Sequence, residues 1–241
     1  KKITPPMATT LRIGVISALH QEQSGLIELM TDTCIHKYGM REYVTGNLNT
    51  IPCVFVISRI GKVAAAATVA TLIERFQITH VVFTGVAGAA DGSIKIGDVV
   101  VADSLIQHDM DASPLFPRFE IPLTGLLRFP SDVLLTNHAI SAVEIFLFHH
   151  FASHISHADR SSFNLKQPRV HRGLIGSGDA FIDNSSTLLA LKKEIPDLLA
   201  VEMEGAAVAQ VCFEFGVPYV VIRTISDNAN EDSPVDFMCF I

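Results

Sequence analysis

Short, strongly apolar runs alternate with longer amphipathic or alanine-rich segments along most of the chain. The runs at 11–18, 79–84 and 218–225 are rich in Val and Ile, which is typical of strands buried on both faces of a sheet. The segment 61–76 is long and alanine-rich, so it predicts a helix whose small side chains allow close packing on a sheet. Further strands are expected at 43–48 and 51–58, joined in a hairpin near 49–50, and at 97–103, 170–176 and 199–203. Further helices are expected at 20–30, 133–155, 187–193 and 205–215.

The alternation of strands and helices runs through the chain without an internal repeat or a domain linker. It predicts the α/β class, with a single domain over 11–241 built around a mixed, largely parallel sheet. Residues 1–10 fit no element and are expected to form an N-terminal extension outside the fold. Residues 108–130 contain four prolines and predict a long loop of the kind that forms lids or interface arms. A polar loop is expected at 157–168.

Composition and charge narrow the class of protein. Of the 241 residues, 49% are hydrophobic and 18% are charged, which suffices for a buried core and argues against a disordered tail. The net charge of −7 and the lack of a basic stripe disfavour a nucleic acid as partner. No apolar run reaches the length of about 18 residues that predicts a transmembrane helix, so no membrane partner is expected. The four cysteines are far apart and form no CxxC pair, and we interpret them as reduced thiols of a cytoplasmic protein.

Carboxylates lie at the ends of several predicted strands, at the edge where ligands bind in an open α/β sheet. Glu202 stands near the end of the strand at 199–203, and Glu204 stands between this strand and the helix at 205–215. They fit either acids stabilised by the helix dipole or a pair that accepts hydrogen bonds from the two hydroxyls of a ribose. Asp227 follows the last strand and fits either an Asx turn or a general acid that holds a proton in a dry site.

Other motifs carry weaker signals. Glu22 follows the first strand and by itself fits a surface acid in the first turn of a helix. The stretch 85–88 (GVAG) lacks the Gly-Lys-Ser/Thr of a P-loop and fits a turn at which the backbone approaches a ligand. His150 and His154 share a helix face, but no acid completes a zinc-binding HExxH pattern, so a solvated face is favoured and no metal is expected. The lack of a Gly-x-Ser-x-Gly elbow gives little support to a serine hydrolase.

Eight stretches stand in order along most of the chain: IGVISALHQE, SRIGKVAAA, FTGVAGAA, KIGDVVVAD, QHDMDAS, GLIGSGDAFI, AVEMEGAAVA and VIRTISDNA. Together they resemble the nucleoside phosphorylase/nucleosidase family. The resemblance implies a three-layer α/β/α fold, usually a homodimer, and no cofactor is expected. It also implies hydrolysis of the N-glycosidic bond of 5′-methylthioadenosine or S-adenosylhomocysteine, with release of adenine, as a cytoplasmic step of methionine salvage.

The resemblance also implies roles for individual residues. Glu22 matches the acid that activates the attacking water, and Arg223 matches the arginine that helps to hold that acid and the water. Asp227 matches the acid that protonates the purine N7, and Glu204, with Met203, matches the pair that binds the ribose. Phe181 matches the ring stacked near adenine, and Ile182 matches the residue whose main chain contacts the adenine edge. Ile60 and Phe237 match apolar residues that line the 5′ side and the ribose. The remaining residues implied in substrate binding are Glu202, Ala87, Gly88 and Ser226.

Three features of the resemblance concern how the site is completed. The loop 108–130 resembles the segment that reaches into the partner's active site in the family's dimers, with Leu115 and Phe119 as its contacts. Val86 stands where the family often has a serine close to the attacking water, so one hydroxyl donor is missing. The sequence ends at Ile241, where the family continues into a helix that closes over the site, so the resemblance predicts an incomplete lid.

Three alternatives to this hydrolase stay open. A purine nucleoside phosphorylase needs cationic groups or several donors for phosphate, whereas Glu22 occupies an early strand end and no arginine precedes Gly85 in its strand. A nucleosidase for another 5′-substituted nucleoside, such as futalosine, would differ in the pocket formed by Ile60, Phe237 and the partner loop. A non-catalytic nucleoside-binding protein on the same fold would not need all three acids.

Overall fold

Ten strands form one mixed sheet in the computed structural model, which describes residues 10–241. The strands are β1 (Ile13–Ser17), β2 (Thr31–Tyr38), β3 (Arg41–Leu48), β4 (Ile51–Ile57), β5 (His80–Ala89), β6 (Val99–Gln107), β7 (Phe129–Pro130), β8 (Val170–Ser177), β9 (Leu198–Glu202) and β10 (Tyr219–Asp227). The helices are α1 (Ser24–Ile27), α2 (Lys62–Phe76), α3 (Val133–Ile145), α4 (Phe151–His154), α5 (His157–Ser162), α6 (Ser185–Glu194), α7 (Gly205–Phe215) and α8 (Ser233–Phe240). The N-terminal extension expected at 1–10 falls, apart from Thr10, outside the described residues and stays a prediction.

Seven of the ten strands form two parallel groups within the sheet, whose order is β10-β6-β8-β9-β5-β1-β4-β3-β2, with β7 paired to β6. Strands β2, β3 and β7 pair antiparallel with their neighbours. Strands β10, β5, β1 and β4 run parallel to one another, and β6, β8 and β9 form the second parallel group. Because β10 pairs with both β5 and β6, five strands close into a ring. Strands β5 and β9 pair antiparallel only near their carboxyl ends, at Gly88 with Val201 and Ala89 with Ala200. The carboxyl ends of the two groups therefore meet at one place.

Helices cover both faces of the sheet. On one face α2 and α7 pack against each other and against strand residues such as Val100 and Val221. On the other face α3 places Ala139 against Val101 and Val220, which are the adjacent residues in β6 and β10. Successive residues of a strand point to opposite faces, so these two clusters lie on the two sides of the sheet. The predicted α/β class with a mixed, largely parallel sheet and three layers is confirmed.

Most predicted elements are present, with bounds that shift by a few residues. The helix α7 has the predicted bounds, and α2 begins one residue later than predicted. The hairpin of β3 and β4 is also present. The segment 133–155 is helical but is interrupted by a π-helical stretch, Phe146–His150.

The predictions for the segments 20–30 and 157–168 are wrong, and strand β2 is missing from the predictions. The segment 20–30 does not form one helix, because a 3-10 turn at His20–Glu22 and the single helical turn α1 take its place. The polar loop expected at 157–168 begins with α5, whose N-cap Ser156 accepts a hydrogen bond from the Asp159 amide at 3.0 Å. Strand β2 was not predicted, because it is an edge strand with mostly exposed side chains and lacks a buried face that would give it an apolar pattern.

Leu72 tests how firmly α2 is seated on the sheet. Its side chain is fully buried and lies 3.3 Å from the position that a Cβ of Gly14 in β1 would take. We expect Leu72→Ala to lower the free energy of unfolding by about 2–5 kcal/mol, because it leaves a cavity in the core. Urea denaturation followed by circular dichroism measures this loss.

Val63 on the same helix is the matched control, since its side chain is 81% exposed. Val63→Ala should change the free energy of unfolding by no more than about 0.5 kcal/mol. Equal effects of the two substitutions would show that α2 does not bury Leu72 against β1.

Candidate active site

The ends of six strands surround a cavity of about 230 Å³. Its lining is mostly apolar but includes four carboxylates, and Arg223 lies behind this lining rather than in it. The cavity therefore lies at the carboxyl ends of the strands, where α/β sheets bind their ligands. The lining residues are Ala18, Leu19, Glu22, Ile60, Val86, Ala87, Gly88, Ala180, Phe181, Ile182, Val201, Glu202, Met203, Glu204, Ser226, Asp227 and Phe237.

Glu22 is held in place by main-chain amides. Its Oε2 accepts hydrogen bonds from the amides of Ala18 (2.8 Å) and Leu19 (2.9 Å), and its Oε1 accepts one from the amide of Val86 (3.2 Å). The 3-10 turn that replaces the predicted helix brings the carboxylate back onto the end of its own strand. Val86 thus contributes a donor through its main chain, although its side chain carries no hydroxyl.

Glycines in β5 make room for two of the carboxylates. A Cβ on Gly85 would lie 2.8 Å from Glu22 Oε1, and a Cβ on Gly88 would lie 2.8 Å from Asp227 Oδ1. Real Cβ atoms do not approach other atoms so closely, so any side chain here would displace the carboxylates. The turn predicted at 85–88 is wrong, because these residues continue β5, and the glycines serve the close approach of side chains from neighbouring elements.

Asp227 is buried at the end of β10, where its carboxylate has two donors. The Ser226 hydroxyl donates to Oδ2 at 2.8 Å, and the Ala229 amide donates to Oδ1 at 2.9 Å. The pairing of β10 with β5 skips Ser226, since Ile225 pairs with Ala87 and Asp227 pairs with Gly88. This irregularity breaks the alternation of the strand and turns Asp227 toward the cavity.

Arg223 forms its ion pair with Glu202. Both residues are buried, and Arg223 donates to Glu202 Oε2 from Nη2 (2.7 Å) and from Nε (3.2 Å). The Ser177 hydroxyl donates to Glu202 Oε1, and the Gly205 amide donates to both oxygens at 3.0 and 2.8 Å. In the described part of the chain the ion pair of Arg223 is with Glu202 and not with Glu22, and the role beside Glu22 and the water that the resemblance implies stays a prediction.

Glu202 and Glu204 do not act as an equivalent pair. Protein donors occupy both carboxylate oxygens of Glu202. Within residues 10–241 the carboxylate of Glu204, in contrast, accepts one hydrogen bond, from the main-chain amide of Gly61 at 2.9 Å. Burial, and after it the negative charge of Glu202, raise the pKa of Glu204 from 4.5 to about 7, although Arg223 lowers it. Of the two acids, Glu204 is the one with an oxygen free to bind a ligand.

Apolar and aromatic side chains close the rest of the cavity. Phe181 and Phe237 meet edge to face with 5.9 Å between ring centres, and Ile60 is 55% exposed at the rim. Of the two side chains expected to reach a partner subunit, Leu115 is 85% exposed. Phe119 instead is buried in the same apolar cluster as Ile182 of its own chain, because the loop turns it inward.

Two residues that hold this site are not among the candidate site residues, although Ser177 lies at one of the polar strand ends noted in the sequence. Gly61 has a φ of 99° and supplies the amide for Glu204, and Ser177 bridges Glu202 and the Ala206 amide (2.7 Å). Both lie inside stretches that carry the family resemblance, but their contacts are with residues far away in sequence. A glycine as the first residue of a predicted helix was the signal available for Gly61.

The described residues contain no group of three His, Cys, Asp or Glu side chains arranged to hold a metal ion. Within the same residues, none of the helices combines the length and the apolar character needed to cross a membrane. The four cysteines are all free thiols, two buried and two exposed.

The fold and the cavity together define an α/β protein with a carboxylate-lined ligand site at its strand ends. Comparison with known families then identifies the group. A family model described as the phosphorylase superfamily matches residues 12–238. The chain belongs to this superfamily.

Individual relatives agree with this assignment. The chain is 36% identical over 231 residues to the 5′-methylthioadenosine/S-adenosylhomocysteine nucleosidase of Shewanella frigidimarina, covering 96% of this chain and 92% of that protein. A solved structure of the nucleosidase of the same name from Neisseria meningitidis, in complex with methylthio-immucillin-A, is similar with a TM-score of 0.84, 32% identity and coverage of 96% and 92% of the two chains. The futalosine hydrolase of Helicobacter pylori is similar with a TM-score of 0.80, 32% identity and coverage of 95% and 90%.

Glu204 makes the stability of the protein depend on pH. Its pKa of about 7 lies above the ordinary value of 4.5, so the folded state keeps a proton that the unfolded chain loses. The stabilisation is fully present below about pH 4.5 and is lost as the pH rises through 7, by an amount on the order of 3 kcal/mol. We expect Glu204→Gln to remove this loss, as measured by urea denaturation between pH 5 and 8.

Glu214→Gln is the control for this measurement, because Glu214 is an exposed carboxylate on α7, the helix whose N-cap residue is Glu204. It should leave the pH dependence unchanged. If wild type and Glu204→Gln show the same slope of stability against pH, Glu204 is ionised throughout and the proton lies elsewhere.

Proposed function

We propose that the protein hydrolyses the N-glycosidic bond of 5′-methylthioadenosine and of S-adenosylhomocysteine and releases adenine. The observation that carries this proposal is the convergence of Glu22, Glu204 and Asp227 on one apolar cavity at the strand ends. The relatives described above support it, since proteins of that name share about a third of the sequence and the same fold.

Asp227 is placed to assist the leaving group. The Ser226 hydroxyl and the Ala229 amide hold its carboxyl group in one orientation at the wall of the cavity. In the reaction, the bond between C1′ and N9 breaks and its electron pair goes to the purine, while Asp227 donates a proton to N7. The base then leaves as neutral adenine, and general acid catalysis of this kind contributes roughly 10²–10⁴-fold.

Glu22 and Glu204 act on the sugar. Glu22, fixed by three amides, accepts a proton from a water molecule whose oxygen bonds to C1′. The free oxygen of Glu204 accepts hydrogen bonds from the ribose hydroxyls. As the sugar becomes cationic in the transition state, both carboxylates interact with it more strongly than in the ground state.

The cavity disfavours phosphate as the nucleophile. Among the residues described, no lysine or arginine lines it, and the guanidinium group of Arg223 is already paired with Glu202. Carboxylates at the position of the nucleophile repel a phosphate anion and suit the activation of water. We therefore favour hydrolysis over phosphorolysis.

The 5′ side of the site favours an apolar substituent. Ile60 and Phe237 supply only hydrocarbon surface, and Ile60 is partly open to solvent. A thioalkyl group fits such a wall by burial of apolar area. The similarity to a futalosine hydrolase makes cleavage of futalosine the second candidate activity.

We also propose that the protein acts in the cytoplasm, in methionine salvage, as a homodimer. The unpaired thiols support a reducing compartment. The exposed Leu115, in the long loop after β6, supports a contact of this loop with a second copy of the chain.

Product analysis by liquid chromatography tests the proposed reaction. The protein is incubated with 5′-methylthioadenosine, S-adenosylhomocysteine, inosine and futalosine, each with and without phosphate. We expect adenine and a free 5-thio-substituted sugar from the first two substrates, at a rate that does not depend on phosphate. Formation of a ribose 1-phosphate would assign a phosphorylase, and a clear preference for futalosine would assign the second candidate.

Substitution of the two reacting carboxylates tests the mechanism. Asp227→Asn and Glu22→Gln should each lower kcat by at least about 100-fold, because each removes one proton transfer. The affinity for adenine, measured by calorimetry, should change little, since neither side chain loses its shape.

Asp183→Asn is the control, because Asp183 is an exposed carboxylate just beyond Ile182 and outside the cavity lining. Its kcat should stay within about twofold of wild type. An Asp227→Asn protein with near-normal turnover would exclude Asp227 as the acid, and the same result for Glu22→Gln would exclude Glu22 as the base.

A further inference from the structure

Three charged residues outside the cavity lining form a closed cycle of hydrogen bonds. The Lys62 amide donates to Asp179 Oδ1 at 2.8 Å, and the Asp179 amide donates to Asp109 Oδ2 at 2.9 Å. Lys62 Nζ donates to Asp109 Oδ1 at 2.6 Å, which closes the cycle. Each residue of this Lys62–Asp109–Asp179 cycle therefore binds the other two.

The cycle joins three segments that are distant in sequence. Lys62 is the first residue of α2, Asp109 follows β6, and Asp179 follows β8. The Lys62 side chain is only 16% exposed, and its ammonium group also donates to Gln107 Oε1 at 3.3 Å. Because this cation is largely withdrawn from water, its ion pair is screened less by salt than an ordinary surface pair.

The residues next to Lys62 and Asp179 in the sequence either line the cavity or bind one of its carboxylates. Ile60 and Gly61 precede Lys62, and the Gly61 amide holds Glu204. Phe181 and Ile182 follow Asp179 and form the wall assigned to the purine. The hydrogen bonds of the cycle therefore fix the distance between the ribose side and the purine side of the site.

The loop after β8 packs against the buried side chain of His108 and cannot move toward it. A Cβ on Gly178 would lie 2.3 Å from Cε1 of the buried His108 ring, so the loop rests directly on that ring. The hydrogen bonds of the Lys62–Asp109–Asp179 cycle oppose separation of this loop from the start of α2 and from the end of β6.

The charges of the cycle make Lys62 its essential member. Burial by itself raises the pKa of Asp109, but the hydrogen bonds from Lys62 and from the Asp179 amide outweigh it, so the pKa of Asp109 is lowered. Without the ammonium group, the carboxylates of Asp109 and Asp179 would face each other without a cation between them. Their repulsion would push the loop after β8 away from Asp109 and disturb the position of the residues that follow Asp179.

We infer that Lys62, Asp109 and Asp179 are positioning residues for the nucleoside, which hold the purine wall at the correct distance from the ribose-binding carboxylate. They touch no reacting atom, so they act on substrate binding rather than on the chemical step. This inference rests on the proposed nucleosidase activity.

Lys62→Met is the main test, since Met keeps the apolar stem and removes the charge. We expect KM for 5′-methylthioadenosine to rise about tenfold and the dissociation constant of adenine to rise in parallel, as for the loss of one charge-assisted hydrogen bond. The value of kcat should stay within about threefold of wild type, because Glu22 and Asp227 keep their own partners. Lys62→Arg, which restores the cation, should recover most of the affinity.

Lys37→Met is the matched control. Lys37 also forms an ion pair with a carboxylate, Glu42, at 2.8 Å, but it lies on the exposed edge strand β2, with a side chain 76% exposed. Its KM and kcat should equal those of wild type. Hydrogen exchange of the segment 178–184 provides a readout without substrate, and it should become faster in Lys62→Met but not in Lys37→Met.

The possible outcomes separate this inference from the proposed function. If wild type cleaves none of the nucleosides, the function fails, while the exchange of 178–184 still tests whether the cycle holds the loop. If wild type is active and Lys62→Met keeps a KM within twofold of it, the positioning role is overturned. A loss confined to kcat would also overturn it. If Lys62→Met does not fold, Asp179→Ala, which removes the acceptor of the Lys62 amide and keeps the Lys62–Asp109 pair, takes its place with the same expected split.

Discussion

The buried ion pair between Arg223 and Glu202 is the interaction on which the site depends. Withdrawing two charges from water costs roughly several kcal/mol per ion, and the pair is tolerated only when further hydrogen bonds fill the remaining positions. Glu202 meets this condition, because the Ser177 hydroxyl and the Gly205 amide also donate to it. The guanidinium group in addition lies 4.0 Å from the centre of the Phe83 ring. The pair thus joins β5, β8, β9, β10 and the start of α7 at one point.

This pairing decides what the other carboxylates can do. Since Arg223 is occupied by Glu202, Glu22 is held by uncharged amides and Glu204 by a single amide. Both keep lone pairs for a ligand. The charge of Glu202 also contributes to the raised pKa of Glu204, which binds a proton more tightly than a carboxylate in water does. Surroundings rather than residue type therefore separate a structural acid from those that face the cavity.

Much of the fold could be predicted from the sequence, because buried strands and the helices α2 and α7 carry their patterns locally. The prediction of secondary structure failed where a strand is not buried, and where glycines leave room for side chains of other elements rather than form a turn. Strand β2 is an exposed edge, so its sequence has no apolar run. Gly85 and Gly88 suggested a turn, but their lack of a side chain instead leaves room for carboxylates from other elements. The cavity is lined by twelve of the thirteen residues expected to act in catalysis or substrate binding, all except Arg223, and their roles stay predictions.

By itself, the sequence determined the alternation of strands and helices and the acids that follow the strands, because both are properties of neighbouring residues. Only the tertiary structure decided which acid pairs with the arginine, how the irregularity at Ser226 turns Asp227, and that Lys62, Asp109 and Asp179 form one cycle. These contacts join residues far apart in the chain. They depend on how the two groups of parallel strands meet at their carboxyl ends, and local patterns of hydrophobicity carry no information about that meeting.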